Sequence, residues 1–279
     1  MENIRKSIED AISIIKNAKA LVISAGAGMG VDSGLPDFRG KEGFWKAYPP
    51  IAKLGLSFAE MADPHWFHER PELAWAFYGH RLNLYRATQP HRGFYQLLEM
   101  GQQMPEGYFV FTSNVDGQFQ KAGFPEERIQ ECHGSIHHFQ CVDDCEGDIW
   151  DAKDEQVVVN EATFEAQEPL PRCPHCGALA RPNILMFGDG YWSYDRTNEQ
   201  NSRFEQFIQK VKAGRPPVAI IEMGAGKAVP TVRLNSQMLT QRLNATLIRI
   251  NPRDDKVPYG HISIPLGAQE AIDLIYAQL

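Results

Sequence analysis

Ile4, Ile8, Ile12 and Ile15 recur near the start of the chain at the spacing that lines one face of a helix. The apolar run that follows, Ala18 to Ser24, is too short for a second helix of this kind and stops at the small residues Ala25-Gly26-Ala27-Gly28. Three later runs share the design: YFVFTSN from Tyr108, PVAIIEMGAG from Pro217 and ATLIRINP from Ala245. Continuous apolar runs that end in small or polar residues are the mark of buried parallel strands, because helices cover both faces of such a sheet. Helical patterns lie between them, for example FEQFIQKVK from Phe204. The alternation predicts an α/β fold with a Rossmann-like, doubly wound parallel sheet, whose ligands sit at the carboxyl ends of the strands. Those ends carry AGAG, TSNVD, GAGKAVP and INPRDD.

Two stretches break the alternation. From Phe44 to about Thr88 aromatics are frequent and no strand is evident; Trp75, Phe77, Tyr78, Leu82 and Tyr85 fit a helix. From Cys141 to Cys176 the chain turns polar, with an acidic loop between two cysteine pairs. The expected organisation is a discontinuous Rossmann-like domain of residues 1–43, 88–136 and 181–279, interrupted by a helical module (44–87) and a zinc-binding module (137–180).

Cys141 and Cys145 form a C-x-x-x-C pair, and Cys173 and Cys176 form C-x-x-C with Pro174 and Gly177 shaping a tight knuckle. Four thiolates on two knuckles satisfy a tetrahedral zinc ion and leave no position open for catalysis. A redox C-x-x-C is the rival reading, but it leaves the first pair without a purpose. Cys132, the fifth cysteine, is expected to be a buried bystander.

Gly26 and Gly28 follow the first strand directly, and without a Cβ each lets backbone N–H groups approach a phosphate. The segment is not a P-loop, since it lacks Gly-Lys-Ser/Thr, nor is it a full G-x-G-x-x-G, since its glycines fall at 26, 28 and 30. A structural turn fits these glycines equally well. The continuation SGLPDFRG adds Asp37, Phe38 and Arg39, a charged pair around an aromatic that suits a lid over a nucleotide better than a core.

The bulk numbers narrow the classes. The chain has 279 residues, 43% hydrophobic and 23% charged, with net charge −7. An acidic chain argues against a nucleic-acid partner, which requires a basic face. No apolar run approaches the roughly 20 residues that span a bilayer, and the first residues lack a signal-peptide core. With cysteines paired for metal rather than disulfides, the expected location is the cytosol.

GAGMGVDSGLPDFRG resembles the signature of the sirtuin family, the NAD-dependent protein lysine deacylases. Further segments match in order: TSNVDGQFQKAG from Thr112, Cys132-His133-Gly134, RPNILMFGD from Arg181, then Gly224-Ala225-Gly226 and Asn251. The resemblance implies that NAD is consumed as a co-substrate: an acyl-lysine oxygen attacks the ribose carbon, nicotinamide leaves, and the acyl group ends on ADP-ribose. It implies His133 as the base for a ribose hydroxyl, with Asn114 and Asp116 on the ribose and nicotinamide side; an Asx turn closing the strand is the plain alternative for that pair. It implies NAD contacts from Ala25, Gly26, Ala27, Gly28, Asp37, Phe38, Arg39, Ser113, Gly224, Ala225, Gly226, Asn251, Pro252 and Arg253. The strand Ile184 to Phe187 is expected to offer an edge to an acyl-lysine peptide or protein, with Leu185 and Phe187 lining the lysine tunnel.

Tyr78-Gly79-His80-Arg81 resembles the Y-x-x-R pattern of sirtuins that remove succinyl and malonyl groups. Residues three apart share a helix face, and an arginine fork beside a phenol can bind a carboxylate. Several positions depart from the usual pattern: Gly30 for a serine, Ser113 for a glutamine, Gln120 for a histidine, Asp189 for a glutamate, and Ala225-Gly226-Lys227 for Thr-Ser-Leu. Lys227 and Arg233 could meet phosphate or be solvated charges. ADP-ribosyl transfer or NAD hydrolysis is the alternative activity, and a non-catalytic NAD or ADP-ribose sensor the further alternative.

Overall fold

The computed structural model describes residues 2–36, 40–143, 145 and 149–279. Asp37, Phe38 and Arg39, the expected lid, lie outside them. Helix α1 (Glu2–Asn17) leads to strand β1 (Ala20–Ala25) and a 3-10 turn (Ala27–Ser33). Short helices α2 (Gly40–Ala47), α3 (Pro49–Lys53), α4 (Phe58–Met61) and α5 (Trp66–Glu69) precede the long α6 (Pro71–Ala87). The chain continues through α7 (Arg92–Gln102), β2 (Tyr108–Thr112), α8 (Gln118–Lys121), β3 (Ile129–Glu131) and β4 (Gly134–Cys141). Then come β5 (Trp150–Asp151), β6 (Val159–Asn160), β7 (Glu165–Ala166) and β8 (Ala180–Ile184). It closes with α9 (Asp195–Gly214), β9 (Val218–Met223), α10 (Thr231–Leu243), β10 (Thr246–Ile250), β11 (Ile262–Ile264) and α11 (Ala268–Tyr276). Among the described residues no helix is long and apolar enough to cross a membrane.

The main sheet has strand order β11-β10-β9-β1-β2-β3, every pairing parallel. The chain moves outward from β1 in one direction, then returns to the other side of β1 with β9. This is the doubly wound Rossmann order, and it puts the topological switch point between β1 and β9. Alternate residues serve opposite faces. Leu21, Ile23, Val110, Ile221 and Ile248 pack with α1, α7 and α11. Val22, Phe109, Ile220 and Leu247 pack with α9 and α10.

The segments inserted into this frame share a second apolar core. Phe44, Tyr48, Phe67, Trp75, Phe77 and Tyr78 from the helical stretch meet Ile136, Phe139 and Ile184 of β4 and β8 and Val157 and Leu170 from the intervening loops. The Trp75 indole N–H donates to the Ala180 carbonyl at 3.0 Å, tying α6 to β8. Gly79 lets α6 lie close to the segment leading into β6: a Cβ there would lie 2.3 Å from Val157 Cγ1. The antiparallel sheet β5-β4-β8 carries the connection back to the parallel sheet. One expectation is corrected: the strand expected to run from Ile184 to Phe187 stops at Ile184. Arg181 donates to the Ile184 carbonyl at 2.8 Å, and the Asp189 carboxylate accepts the Met186 N–H at 3.2 Å, which turns the chain out of the sheet.

Candidate active site at the strand ends

The carboxyl ends of β1, β2, β9 and β10 meet in a crevice at the switch point. Its floor is backbone packed on backbone. Gly26 N–H donates to the Met223 carbonyl at 2.9 Å, Gly28 N–H to the Gly224 carbonyl at 3.1 Å, and Gly224 N–H to the Ile250 carbonyl at 3.1 Å. A Cβ on Gly28 would sit 2.7 Å from Gly224 Cα, and one on Gly224, whose φ is +61°, only 2.2 Å from the Met29 nitrogen. The two loops touch because neither carries a side chain at the contact. Two buried asparagines staple them: Asn114 Nδ2 donates to the Gly26 carbonyl at 3.2 Å and Asn251 Nδ2 to the Ala225 carbonyl at 3.0 Å. A cleft of about 60 Å³ remains, lined by Gly28, Asp32, Gly224, Asn251, Pro252 and Arg253.

Of the residues expected to contact NAD, Ala25, Gly26, Gly28, Gly224, Ala225, Asn114 and Asn251 converge on this crevice. Ser113 joins them through its N–H, 3.1 Å from the Ala25 carbonyl. Ala27, Pro252 and Arg253 are exposed at its rim, and Gly226 is half-buried. The two cations considered for phosphate have protein partners. Lys227 lies 3.3 Å from the Asp254 carboxylate. Arg233 is buried and donates to the carbonyls of Ala225 (3.1 Å), Asp254 (2.8 Å) and Lys256 (3.3 Å). Gly30 has a local explanation: Leu35 Cδ1 would be 2.8 Å from its Cβ, so the leucine fills the space a serine would take.

His133 follows β3 and is half-buried, with its ring hydrogen-bonded to the backbone of Ser113. Burial holds the imidazole below its ordinary pKa, which leaves it neutral at pH 7. Gly134 after it has φ +78°, and a Cβ there would lie 2.0 Å from the Asn183 carbonyl oxygen. The glycine of the His-Gly pair is therefore demanded by the close crossing of β4 on β8. His137 donates from Nε2 to the Asp116 carbonyl at 2.9 Å, and burial pushes His138 down to about 4.

Asp116 is buried, and its Oδ1 accepts the Gln118 N–H at 3.0 Å, closing an Asx turn. Burial raises its carboxyl to about 6, and the charge of Glu131 adds to the rise while Arg81 opposes it. The loop after β2 thus feels the inserted lobe electrostatically.

On the lobe side, Tyr78 and Arg81 lie on α6, 1% and 6% exposed. The Arg81 guanidinium is walled by Phe77, Tyr78, Tyr85 and Phe58, with ring centroids 5.3, 5.7, 5.5 and 5.8 Å from Cζ. The Tyr78 hydroxyl, by contrast, has no hydrogen-bond partner among the described residues. Phe187 packs edge-on against Phe58 at 6.2 Å, and its N–H donates to the Ala62 carbonyl at 2.9 Å. Leu185 N–H donates to the His133 carbonyl at 3.0 Å. The segment therefore runs from the His133 backbone, held by Leu185 N–H, to the Phe187 ring on Phe58, and the side chains of Leu185 and Phe187 are exposed. Arg181 and Asp189, a buried ion pair, anchor the segment from behind.

The four cysteines gather as their spacing suggested: all four sulfurs lie within 4.8 Å of one another. Cys141 and Cys176 are 3.6 Å apart and Cys145 and Cys173 3.5 Å. A tetrahedral zinc ion with Zn–S bonds of about 2.3 Å separates its sulfurs by about 3.8 Å, so the donor set fits. Cys132 is half-buried, and burial pushes its thiol up to about 12, which leaves it inert.

Sequence reasoning passed over several supporting groups. Glu222 and Arg249, register partners on β9 and β10, form a buried ion pair, with Arg249 Nη2 3.0 Å from Glu222 Oε2. Each is a charge interrupting an apolar strand, and that shared oddity was the available signal. His91 caps α7, its Nδ1 accepting the Gly93 N–H at 3.1 Å, and Nε2 donates to the Met29 carbonyl at 3.1 Å, pinning the glycine-rich turn. Glu131 is buried against Arg196 at 2.6 Å. Neither pattern shows in local sequence.

A Rossmann sheet with a glycine-floored crevice at its switch point, and an inserted four-cysteine lobe beside it, defines a class of nucleotide-using proteins. The Sir2 family model matches residues 26–210, and the chain belongs to that family. It is 34% identical over 169 residues to an NAD-dependent protein deacylase of Aquifex aeolicus, covering 61% of this chain and 62% of that protein. Against the corresponding Pyrococcus abyssi protein the identity is 32% over 182 residues, covering 65% and 66%. The matched region thus spans just under two thirds of the length of those two relatives. A Thermus thermophilus deacylase aligns over 276 residues at 26% identity, covering 96% of this chain and 93% of its own. Among solved structures, a mutant Sir2 homologue in complex with ADP-ribose superposes with TM-score 0.69 at 25% identity, covering 97% and 95%. A Sir2 homolog–NAD complex gives 0.67 at 25% identity, covering 96% and 92%.

Proposed function

We propose that the protein is an NAD-dependent protein lysine deacylase that prefers short acidic acyl groups, succinyl or malonyl, over acetyl. The observation that carries the deacylase reading is His133: a neutral imidazole at the end of β3, beside the crevice and bonded through its own carbonyl to Leu185. The relatives named as deacylases and the NAD and ADP-ribose complexes of Sir2 homologues support it.

The residues fit NAD. A phosphate-bearing chain would be held in the cleft of about 60 Å³ lined by Gly28, Gly224, Asn251 and Arg253, which takes only part of a dinucleotide. Bound NAD supplies the ribosyl carbon that accepts the acyl oxygen as nicotinamide departs. Asn114, held by the Gly26 carbonyl, and Asp116 orient the ribose and nicotinamide side. With one ring nitrogen bonded to the Ser113 backbone, the other nitrogen of His133 is available to take a proton from a ribose hydroxyl. Ala25, Ala27, Ser113, Gly224, Ala225, Gly226, Asn251, Pro252 and Arg253 complete the nucleotide wall. Leu185 and Phe187 flank the incoming lysine stem.

The acidic-acyl preference rests on Tyr78 and Arg81. The Tyr78 hydroxyl, buried with no partner among the described residues, costs free energy that a ligand oxygen would recover, and Arg81 supplies the opposite charge for a carboxylate. The zinc ion would be held by Cys141, Cys145, Cys173 and Cys176 and serve structure alone. Thiolates kept for metal suit a reducing compartment, which supports a cytosolic location.

The test is mass spectrometry of products from succinyl-, malonyl- and acetyl-lysine peptides with NAD. Nicotinamide release should depend on the acylated peptide and yield acyl-ADP-ribose, and His133→Ala should lower turnover by about a thousandfold or more. Release of nicotinamide that is indifferent to peptide would replace deacylation with NAD hydrolysis or ADP-ribosyl transfer. Unimpaired turnover by the His133 variant would remove the base from this account.

A further inference from the structure

Tyr85 belongs to none of the motifs singled out in the sequence, yet it sits where Arg81 is held. It lies one helical turn after Arg81 on α6 and is buried. Arg81 donates from both Nε and Nη2 to the single Tyr85 hydroxyl oxygen, at 3.1 and 3.0 Å. One edge of the planar guanidinium is thereby pinned, and four aromatic rings fix its plane. A flexible side chain has become a rigid fork. The choice of anchor matters as much as its position. Burial raises the Tyr85 phenol above its usual range, so it stays neutral and holds the arginine without neutralising it. A carboxylate in the same place would satisfy the charge and repel an anionic ligand.

We infer that Tyr85 is a positioning residue that aims Arg81 at the carboxylate of an acidic acyl group and so sets the acyl preference. This rests on the acidic-acyl reading above, and it adds a determinant outside the Y-x-x-R pattern. It follows that the tyrosine three residues before Arg81 and the one four residues after it act differently. Tyr78 has a hydroxyl with no partner among the described residues, whereas Tyr85 spends its oxygen on the arginine.

The experiment is a double-mutant cycle on the full chain: wild type, Tyr85→Phe, Arg81→Met and the double variant, assayed with succinyl-lysine and acetyl-lysine peptides at saturating NAD. Tyr85→Phe should lower the succinyl-to-acetyl ratio of kcat/KM by about tenfold, with the loss falling on KM for the succinyl peptide rather than on kcat. In the Arg81→Met background the same change should move the ratio by less than about twofold, because no fork remains to be aimed. Equal losses on both peptides, or the same tenfold effect without Arg81, would assign Tyr85 to packing and overturn the inference. If Arg81→Met leaves the ratio unchanged, the acidic-acyl reading fails and takes Tyr85 with it. If Arg81→Met collapses the ratio and Tyr85→Phe does not, Tyr85 alone is wrong.

Discussion

The nucleotide crevice and the inserted lobe solve the problem of binding in opposite ways. In the crevice the surface is backbone: Gly26, Gly28 and Gly224 bring two loops into contact, and side chains such as Asn114 and Asn251 turn inward to staple them. In the lobe the lining is side chain: Arg81, Tyr78 and Phe77 from α6 pack with Phe58 from α4. A backbone surface has few allowed variations, which suits a nucleotide whose chemistry is fixed. A side-chain lining can change its chemistry one residue at a time, which suits the acyl preference proposed above. The two regions also differ in what holds them. The crevice rests on a continuous six-stranded sheet, whereas the lobe has strands of two to eight residues and a cysteine cluster.

That contrast is broken most severely by removing the metal. Structural zinc contributes folding free energy directly, about 10–16 kcal/mol apparent in small zinc domains. Stripping it with a strong chelator should lower the melting temperature by about 10 °C or more, and tryptophan fluorescence should report the lobe first, since Trp75 and Trp150 pack there. An unchanged melt in protein shown by metal analysis to be stripped would mean that the aromatic core alone holds the lobe. A smaller but still large effect is expected from Gly224→Ala. A Cβ 2.2 Å from the Met29 nitrogen, at φ +61°, forces the two loops apart at a cost of about 3 kcal/mol or more. NAD affinity by calorimetry should fall by about a hundredfold, while zinc content stays at one per chain. If NAD affinity survives, the backbone contact is not what shapes the crevice.

How much of this was legible in the sequence follows the same division. The strands of the sheet were readable because burial on both faces makes them continuous apolar runs, as at Leu21 to Ile23 and Ile220 to Ile221. Short β3 and β11 carry too few residues for a pattern. The cysteine cluster was readable because its ligands come in close pairs. Arg81 and Tyr78 could be paired from helical spacing, but the anchoring of Arg81 by Tyr85 could not. Two donors meeting on one oxygen is a property of rotamers, and the same i,i+4 spacing occurs on any helix. The staple from His91 to Met29 spans 62 positions of sequence and leaves no local trace. The extent of the Ile184 strand was misjudged because Arg181 and Asp189 end it through side-chain bonds that periodicity does not see.

Asp116 stands where the two regions meet, and it gives the smallest and most discriminating effect. Its carboxyl rises from 3.8 to about 6 on folding, chiefly through burial. The folded state therefore holds the proton more tightly than the unfolded chain does. The favourable contribution is complete below pH 3.8 and is lost as pH rises toward and through about 6, above which a buried carboxylate weighs against folding. Asp116→Asn keeps an oxygen for the Gln118 N–H and removes that titration. Relative to wild type, the variant should gain about 3 kcal/mol between pH 4 and pH 8, measured by denaturant unfolding, while deacylation falls. Arg81 opposes the rise, so Arg81→Met should push the Asp116 titration to higher pH and move the onset of this destabilisation with it. If the Asp116 variant and wild type run parallel across that range, Asp116 is solvated as in the unfolded chain. If instead Arg81→Met leaves the titration in place, the crevice and the lobe do not sense each other's charge, and the acyl group and the nucleotide are recognised independently.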